Sequence, residues 1–486
     1  MSLQSVFAGD ALPSYVAAIA WWASVVILVT MVLQNLLYML QLILAFNVLR
    51  RWRLVPNPAR AWRQLSETSL PISLLVPAYN EEATVVANVR SMLALHYPRF
   101  EIIVVNDGSS DGTLQTLIDN YDLRPTVRVY EEEVPHRPIR ALYGSPSYPN
   151  LIVVDKENGG KADALNAGIN LSRLPMFCVV DADSILEADS LLRAVQPFSD
   201  DPDRVVAVGG TIRIANGSVV HGGRVVSMGL PYALLPLFQI VEYLRAFLMA
   251  RLAWSEFNSL LLISGAFGIF KRGAVVDVGG YSHGTVGEDM EIIVKLHRYM
   301  REQGREYVIR FVPDPVCWTE APETLGILGH QRRRWQRGAL ESFFKHIRML
   351  FNPRYGVVGL VGFPFVLLLD VIGPPIELLG YLVIPLSWHF GFLSMEFFAA
   401  YLALTFAWGV TISVGALLLE EMELKRFPKA RHLALLGLVA VLENFGYRQI
   451  NNLWRAAGYW QFLRGSKEWG RMTRAGFKQM PTGDRQ

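Results

Sequence analysis

Only two of the 486 residues are cysteine, Cys178 and Cys317, and both stand in apolar runs rather than in a CxxC or other metal-ligand spacing. That pattern predicts neither a disulfide nor a zinc site. Charge is scarce too: Asp, Glu, Lys and Arg make up 18% of the chain and leave a formal net charge of +3. No Lys/Arg block resembles a nucleic-acid footprint away from the flanks of apolar segments, so no nucleic-acid partner is expected. Residues 15–49 lack charge, proline and glycine altogether. This stretch exceeds the ~20 residues that a spanning helix requires and predicts an anchor helix. The residues before it carry Asp10 and no Lys or Arg, whereas a secretory signal begins with a positive region.

What is abundant is apolar surface. At 52% hydrophobic residues and a mean hydropathy of +0.27, a chain longer than one ordinary domain must keep part of itself in lipid. Arg50, Arg51 and Arg53 follow the first apolar stretch. By the positive-inside rule they place what comes next in the cytoplasm and the N-terminus outside.

From about Pro71 to Pro313 short β-branched runs alternate with amphipathic stretches, the texture of βαβ units around a largely parallel sheet. Strands are expected at 72–77, 101–106, 151–154, 177–181, 205–209 and 262–270, with helices at 81–95, 162–171 and 289–300. Residues 234–254 are apolar but contain Gln239, Glu242, Arg245 and Arg251. Charges are expensive in lipid, and a crossing here would put Asp183 and Asp289 on opposite sides of the membrane. The expectation is an amphipathic helix at the membrane interface.

Membrane texture returns at 357–388, with Pro374, Pro375 and Glu377 inside, and again at 397–419. One long kinked span for the first keeps the basic loop 425–431 in the cytoplasm and puts the loop around His389 outside. In residues 432–449, Glu443, Asn444 and Arg448 interrupt the apolar run. Because the basic tail at 464–478 also belongs in the cytoplasm, an interfacial or re-entrant helix is expected there. The resulting division is an anchor (1–53), a cytoplasmic catalytic domain with interface helices (68–350), C-terminal transmembrane or re-entrant helices (355–450) and a basic interfacial tail (451–486).

In an open α/β sheet, ligands gather beyond the carboxyl ends of the strands. Four such ends are polar: Pro77-Ala-Tyr-Asn-Glu81, Asn106-Asp-Gly-Ser-Ser-Asp111, Gly159-Gly-Lys-Ala-Asp163 and Asp181-Ala-Asp-Ser184. For Asn80 and Asp111, helix capping and ligand binding both remain open. Asp181 and Asp183 are less ordinary, since two carboxylates one residue apart repel unless a cation compensates. Mg²⁺ or Mn²⁺ held jointly with a nucleotide diphosphate suits them. Lys161 opens a helix, where the macrodipole disfavours a cation unless a phosphate sits at the same end, cradled by the glycine-rich backbone. Asp289 in Gly287-Glu-Asp289 is either an N-cap or a general base that takes the proton of an attacking hydroxyl. Gln331, Arg334 and Trp335 share one face at helical spacing and combine an amide, a diphosphate-binding guanidinium and a plate for a sugar ring. Arg332 and Arg333 point elsewhere and suit a membrane flank.

The order PAYNEE (77–82), NDGSSDGT (106–113), NGGKADALNAGI (158–169), DADS (181–184), ISG (263–265), GED (287–289) and QRRRW (331–335), framed by membrane helices, resembles the processive, inverting, membrane-integrated glycosyltransferases of family 2. These include cellulose, chitin and hyaluronan synthases, and the bacterial poly-N-acetylglucosamine synthases are the nearest group. The resemblance covers almost the whole chain. It implies an α/β GT-A (Rossmann-like) domain inserted between transmembrane helices in a bacterial inner membrane. Tyr79, Glu81 and Asp107 would contact uridine, and Lys161 and Asp181 would hold the nucleotide. Asp183 would bind Mg²⁺ or Mn²⁺, Asp289 would act as base with Glu288 next to it, and Gln331, Arg334 and Trp335 would close over diphosphate and acceptor. The implied partners are a UDP-sugar (UDP-GlcNAc or UDP-glucose), the growing polysaccharide, the bilayer, and accessory export or regulatory subunits. Two positions depart from the family: Gly287 stands where Thr is common, and Asn106-Asp107 where Asp-Asp is frequent. Only a short basic tail follows the membrane helices, so no fused cyclic-dinucleotide sensor is expected. The competing readings are a single-addition transferase acting on a lipid acceptor and a scaffold with a degenerate transferase domain.

Overall fold

The structure, a computed structural model, describes residues 14–52, 69–221, 224–392, 394–423 and 429–465. Asp10, Arg53, most of the basic loop 425–431 and nearly all of the basic tail lie outside the described residues. Helix α1 runs unbroken over Ser14–Arg51, as a stretch without proline or glycine allows. Its end is tied to the sheet-bearing part. Ala45 and Leu49 are buried in the same core as the sheet, and the Trp52 indole N–H donates to Asp314 Oδ2 at 3.0 Å.

Among the described residues twelve strands follow: β1 Ile72–Ala78, β2 Phe100–Asn106, β3 Arg124–Pro125, β4 Ile139–Gly144, β5 Leu151–Lys156, β6 Met176–Val180, β7 Ile185–Leu186, β8 Val205–Ile214, β9 Val219–His221, β10 Arg224–Ser227, β11 Phe267–Lys271 and β12 Val308–Thr319. Helices α2 Val85–Leu93, α3 Thr113–Tyr121 and α4 Lys161–Leu171 cross between the first of them. Ten strands form one sheet in the order β3-β4-β5-β2-β1-β6-β11-β8-β12-β7. The segment β5-β2-β1-β6 is parallel, and its central strands are nearly continuous apolar runs because helices cover both faces. Beyond it only β8 and β12 pair in parallel, and the expectation of a largely parallel sheet fails for the other strands. β11 runs antiparallel to both β6 and β8, β7 to β12, and β4 to β3 and β5, so the sheet is mixed. The expected strand at 262–270 shrinks to Phe267–Lys271, preceded by an unpaired approach. β6 stops at Val180, leaving Asp181 and Asp183 in a turn closed by the Ser184 N–H on the Asp181 carbonyl at 3.0 Å.

Helix α5, Leu234–Tyr243, continues through a π-helical segment, Leu244–Arg251, into Leu252–Glu256. It packs between the sheet and the apolar helices, and Gln239, Glu242 and Arg245 each find a partner inside the protein. Gln239 Nε2 donates to the Pro322 carbonyl at 2.8 Å, and Arg245 pairs with Glu443 and with Ser413. Partnered this way, such groups are tolerated in an apolar layer. Helices α6 Glu288–Glu302 and α7 Leu325–Lys345 complete the part built around the sheet.

Residues 358–389 then form one continuous helical run, α8, in which a π segment at Leu367–Ile372 precedes Pro374 and Pro375 and takes up the lost backbone bonds. Helix α9 covers Met395–Glu423. Among the described residues three helices are long and apolar enough to cross a membrane: Ala18–Arg51, Val358–His389 and Phe398–Met422. Residues 432–449 are not one helix. Helix α10, Ala430–Leu442, has 13 residues, short of the ~20 needed to span. Gly446, at φ 95° where a side chain would be strained, turns the chain into α11, Tyr447–Leu463.

Candidate active site

The carboxyl ends of β1, β2, β5 and β6 point to one edge, so parallel pairing alone gathers Tyr79, Asp107, Lys161, Asp181 and Asp183 along it. Tyr79 is half exposed just past β1. Glu81 lies beside it and its carboxylate accepts from Thr84 Oγ1 at 2.6 Å. Asn80 and Asp111 turn out to serve the local fold. The Asn80 side-chain carbonyl accepts from Ser110 N at 2.8 Å, and Asp111 Oδ1 accepts from Thr113 N at 3.0 Å as α3 begins.

Asp107 is buried and fully engaged by its own chain. Its carboxylate accepts from the N–H groups of Gly159 and Gly160 at 3.0 and 2.7 Å and from Lys156 Nζ at 2.7 Å. The Asp107 carboxylate therefore takes up the Gly159 and Gly160 N–H groups just before α4. Lys156, which sequence reasoning missed, also reaches Asp163 at 2.5 Å. Its one visible signal was a lysine ending an apolar strand, and the partner carboxylates lie 49 positions upstream and in the next helix.

Lys161 turns to the other side. Its ammonium contacts Asp181 Oδ1 at 2.5 Å and Glu288 Oε1 at 3.8 Å. Gly265 of the ISG segment leaves it room, since a Cβ there would stand 2.6 Å from Nζ. Burial pulls Lys161 down, but Asp181, Glu288 and Asp289 together outweigh it and hold the ammonium above its ordinary value. The structure thus joins the nucleotide-binding candidates to the acid–base candidates through one lysine. The compensating charge for Asp181 comes from the protein itself.

The N-cap of α6 is Gly287, which leaves Glu288 and Asp289 in the first helical turn. Asp289 Oδ1 accepts from Met290 N at 2.9 Å. Glu288 is only 7% exposed, and burial pushes its carboxyl up to about 7, opposed by the Lys161 ammonium and assisted by Asp289. The loop before α6 is fastened to α7. Thr285 Oγ1 and Val286 N both donate to Glu341 Oε2 at 2.9 Å, and Gly287 packs directly on Gly338. The departure from Thr at position 287 has this physical basis.

Gln331, Arg334 and Trp335 lie in the middle of α7. The enclosed Gln331 side-chain oxygen accepts no hydrogen bond from the described residues, and the Trp335 ring is 41% exposed. Arg332 is not a membrane flank. It is buried and doubly hydrogen-bonded to Glu242.

The cysteines are buried in the core, and no group of three or more His, Cys, Asp or Glu among the described residues is arranged to hold a metal alone. A cation here would take one or two carboxylates and borrow phosphate oxygens, the habit of Mg²⁺ and Mn²⁺. Asp183, buried beside the Lys161–Asp181 pair, fits that donor chemistry.

Comparison with known proteins agrees with this architecture. Residues 73–144 match the family model Glycosyl transferase family 2, and residues 140–338 match Glycosyltransferase like family 2. The chain is 32% identical over 289 residues to the poly-beta-1,6-N-acetyl-D-glucosamine synthase of Staphylococcus aureus (strain COL), covering 58% of this chain and 59% of that protein. It is 32% identical over 278 residues to the synthase of the same name from Staphylococcus epidermidis, covering 56% of each. The match therefore spans less than two thirds of these curated relatives. A mannosyltransferase from Pyrobaculum calidifontis, solved in complex with GDP-Man and Mn²⁺, superposes with a TM-score of 0.50 at 19% identity over 87% of this chain and 99% of its own. That likeness concerns the fold alone, which is a GT-A-like, Rossmann-like mixed-sheet domain with apolar helices on both sides.

Proposed function

We propose, from the premise that the chain carries a family 2 glycosyltransferase domain, that it polymerises a UDP-sugar into a β-linked exopolysaccharide by processive, inverting transfer. What supports this most is one observation: the Lys161–Asp181 pair, the Glu288–Asp289 pair and helix α7 converge at the carboxyl edge of the sheet. Donor, base and acceptor then have adjacent seats. Tyr79, Glu81 and Asp107 border the uridine, with Asp107 acting by fixing the Gly159–Gly160 turn. Lys161 and Asp181 hold the nucleotide, and Asp183 holds Mg²⁺ or Mn²⁺, which supplies charge compensation to the departing diphosphate.

Asp289 takes the proton of the attacking hydroxyl, with Glu288 as its neighbour and the alternative base. Gln331 offers its open amide oxygen to an acceptor hydroxyl, Arg334 offers a guanidinium to the diphosphate, and Trp335 a plate to the sugar ring. The staphylococcal relatives favour UDP-GlcNAc as donor, with UDP-glucose second. Residues 1–53 and 355–450 would embed the enzyme in a bacterial inner membrane, with 68–350 and the tail 451–486 on the cytoplasmic side. The product would leave between the helices.

Membranes given labelled UDP-GlcNAc and, separately, UDP-glucose test the reading through product size. A polymer is expected. A single labelled lipid would establish the single-addition alternative, and no transfer from either donor would remove the proposal.

A further inference from the structure

Arg332 was expected only to flank a membrane segment, yet both of its terminal nitrogens are engaged inside the protein. Its guanidinium donates in parallel to both carboxylate oxygens of Glu242, Nη1 to Oε1 at 2.6 Å and Nη2 to Oε2 at 2.8 Å. Tyr447, at the start of α11, donates its hydroxyl to the same Glu242 Oε2 at 2.9 Å, and its ring stacks on Phe238 of α5 at 4.7 Å between centroids. One turn along α7 from Arg332, the Trp335 ring lies under the guanidinium, 4.5 Å from centroid to Cζ. A bidentate fork leaves Arg332 almost no rotational freedom, and a cation held over an indole face fixes the ring in turn.

We infer that Arg332, clamped by Glu242, is a positioning residue that sets the plane of Trp335 and with it the seat of the acceptor sugar. Through Tyr447 it ties that seat to the C-terminal helices. The inference rests on the acceptor role proposed for Trp335. Without the clamp, a ring 41% exposed would sample several orientations and hold the acceptor less well. UDP binding, which uses residues on the sheet edge and the Arg334 guanidinium, does not draw on the Arg332–Glu242 clamp.

Removing Arg332 alone strands a buried carboxylate and risks unfolding. The test variant is therefore Arg332→Gln with Glu242→Gln, which removes both charges together, and Arg332→Lys is the conservative partner that keeps the charge but loses the fork. In purified enzyme with labelled UDP-GlcNAc, two quantities are read: affinity for UDP-Mg²⁺ and sugar incorporated into polymer per UDP released. The double variant should keep its UDP affinity and lose roughly tenfold in incorporation per UDP, with shorter chains, as expected for loss of one contact of this kind. Arg332→Lys should fall between it and the wild type. The deciding comparison adds Trp335→Ala. If the clamp acts through the ring, the triple variant should be no worse than Trp335→Ala alone. Multiplying losses would overturn the inference, and so would wild-type incorporation in a folded double variant. If Trp335→Ala alone leaves incorporation unchanged, the acceptor role itself is wrong and the inference falls with it. If Trp335→Ala is impaired and the double variant is not, only the inference falls.

Discussion

Gly287 and Gly338 meet backbone to backbone: a Cβ built on Gly287 would stand 2.8 Å from the Gly338 Cα, and one built on Gly338 would stand 2.7 Å from the Gly287 Cα. The contact brings the start of α6, with its two carboxylates, against the middle of α7. Neither backbone can yield without moving its helix. Gly287→Thr, the side chain common in related synthases, is therefore expected to destabilise this chain by roughly 1–3 kcal/mol, the usual cost of overpacking, and to lower sugar transfer. Thermal unfolding of the detergent-solubilised variant checks it, and an unchanged midpoint would mean the two helices are looser than the geometry indicates.

Lys156 and Lys161 lie five positions apart but should behave as opposites. Lys156 is fully buried between Asp107 and Asp163, so Lys156→Met strands two carboxylates. It should cost about 3–5 kcal/mol, the range for a broken buried pair. Lys161→Ala leaves Asp181 part-exposed to water and should cost little stability. Chemical denaturation of the two variants side by side measures the contrast, and equal losses would contradict it.

The parallel half of the sheet was legible because its strands are short apolar runs ending in polar turns, and each end fell within a few residues of its expected place. β12 was not. Pro313, Asp314 and Pro315 interrupt it, and the strand survives them only by register shifts around Pro315, a bulge that no local pattern announces. Asp181 and Asp183 were legible as a pair, but the turn they occupy and the lysine that compensates one of them were not. Arg332 was misread for a similar reason. Among other arginines before a membrane segment it looks like a flank, and its carboxylate partner lies 90 residues upstream. Motifs made of neighbours in sequence could be read from the sequence, whereas partnerships across the fold needed the structure.

Glu288 gives the site a pH dependence with a definite sign. Burial lifts its folded-state pKa to about 7, above its ordinary value, so the folded protein holds this proton more tightly than the unfolded chain does. That contribution is fully present below the ordinary carboxylate range and is lost as pH rises through about 7. Glu288→Gln cannot lose it. The unfolding midpoint of the variant relative to the wild type should therefore rise between about pH 5 and about pH 7 and level off above that. A constant difference over that window would show that Glu288 titrates elsewhere.

Metal dependence follows from the donor chemistry at Asp183. A single buried carboxylate with borrowed phosphate oxygens binds a hard cation only while the nucleotide is present. Chelation by EDTA should abolish transfer, added Mg²⁺ or Mn²⁺ should restore it, and neither should move the unfolding midpoint of the nucleotide-free protein. Asp183→Ala should match the chelated wild type and resist restoration. Full transfer in EDTA would exclude the assignment.

Asp289 and Lys161 belong to one cluster, so separating proton transfer from nucleotide binding needs a matched pair of variants. Asp289→Asn keeps size and can still be approached by Met290 N–H, which now donates to Asp289 Oδ1 at 2.9 Å, but it cannot accept the acceptor's proton. Transfer should fall by roughly 10²–10⁴-fold while UDP-Mg²⁺ affinity stays near wild type. Lys161→Ala removes an ammonium from the nucleotide side and should weaken UDP binding first, with the lost rate partly recovered at high donor concentration. Titrating UDP-Mg²⁺ against both variants and measuring initial transfer rates puts the two effects on one scale. Should Asp289→Asn bind UDP poorly, or transfer at close to the wild-type rate, the base would have to be Glu288, whose pKa near 7 already suits the task.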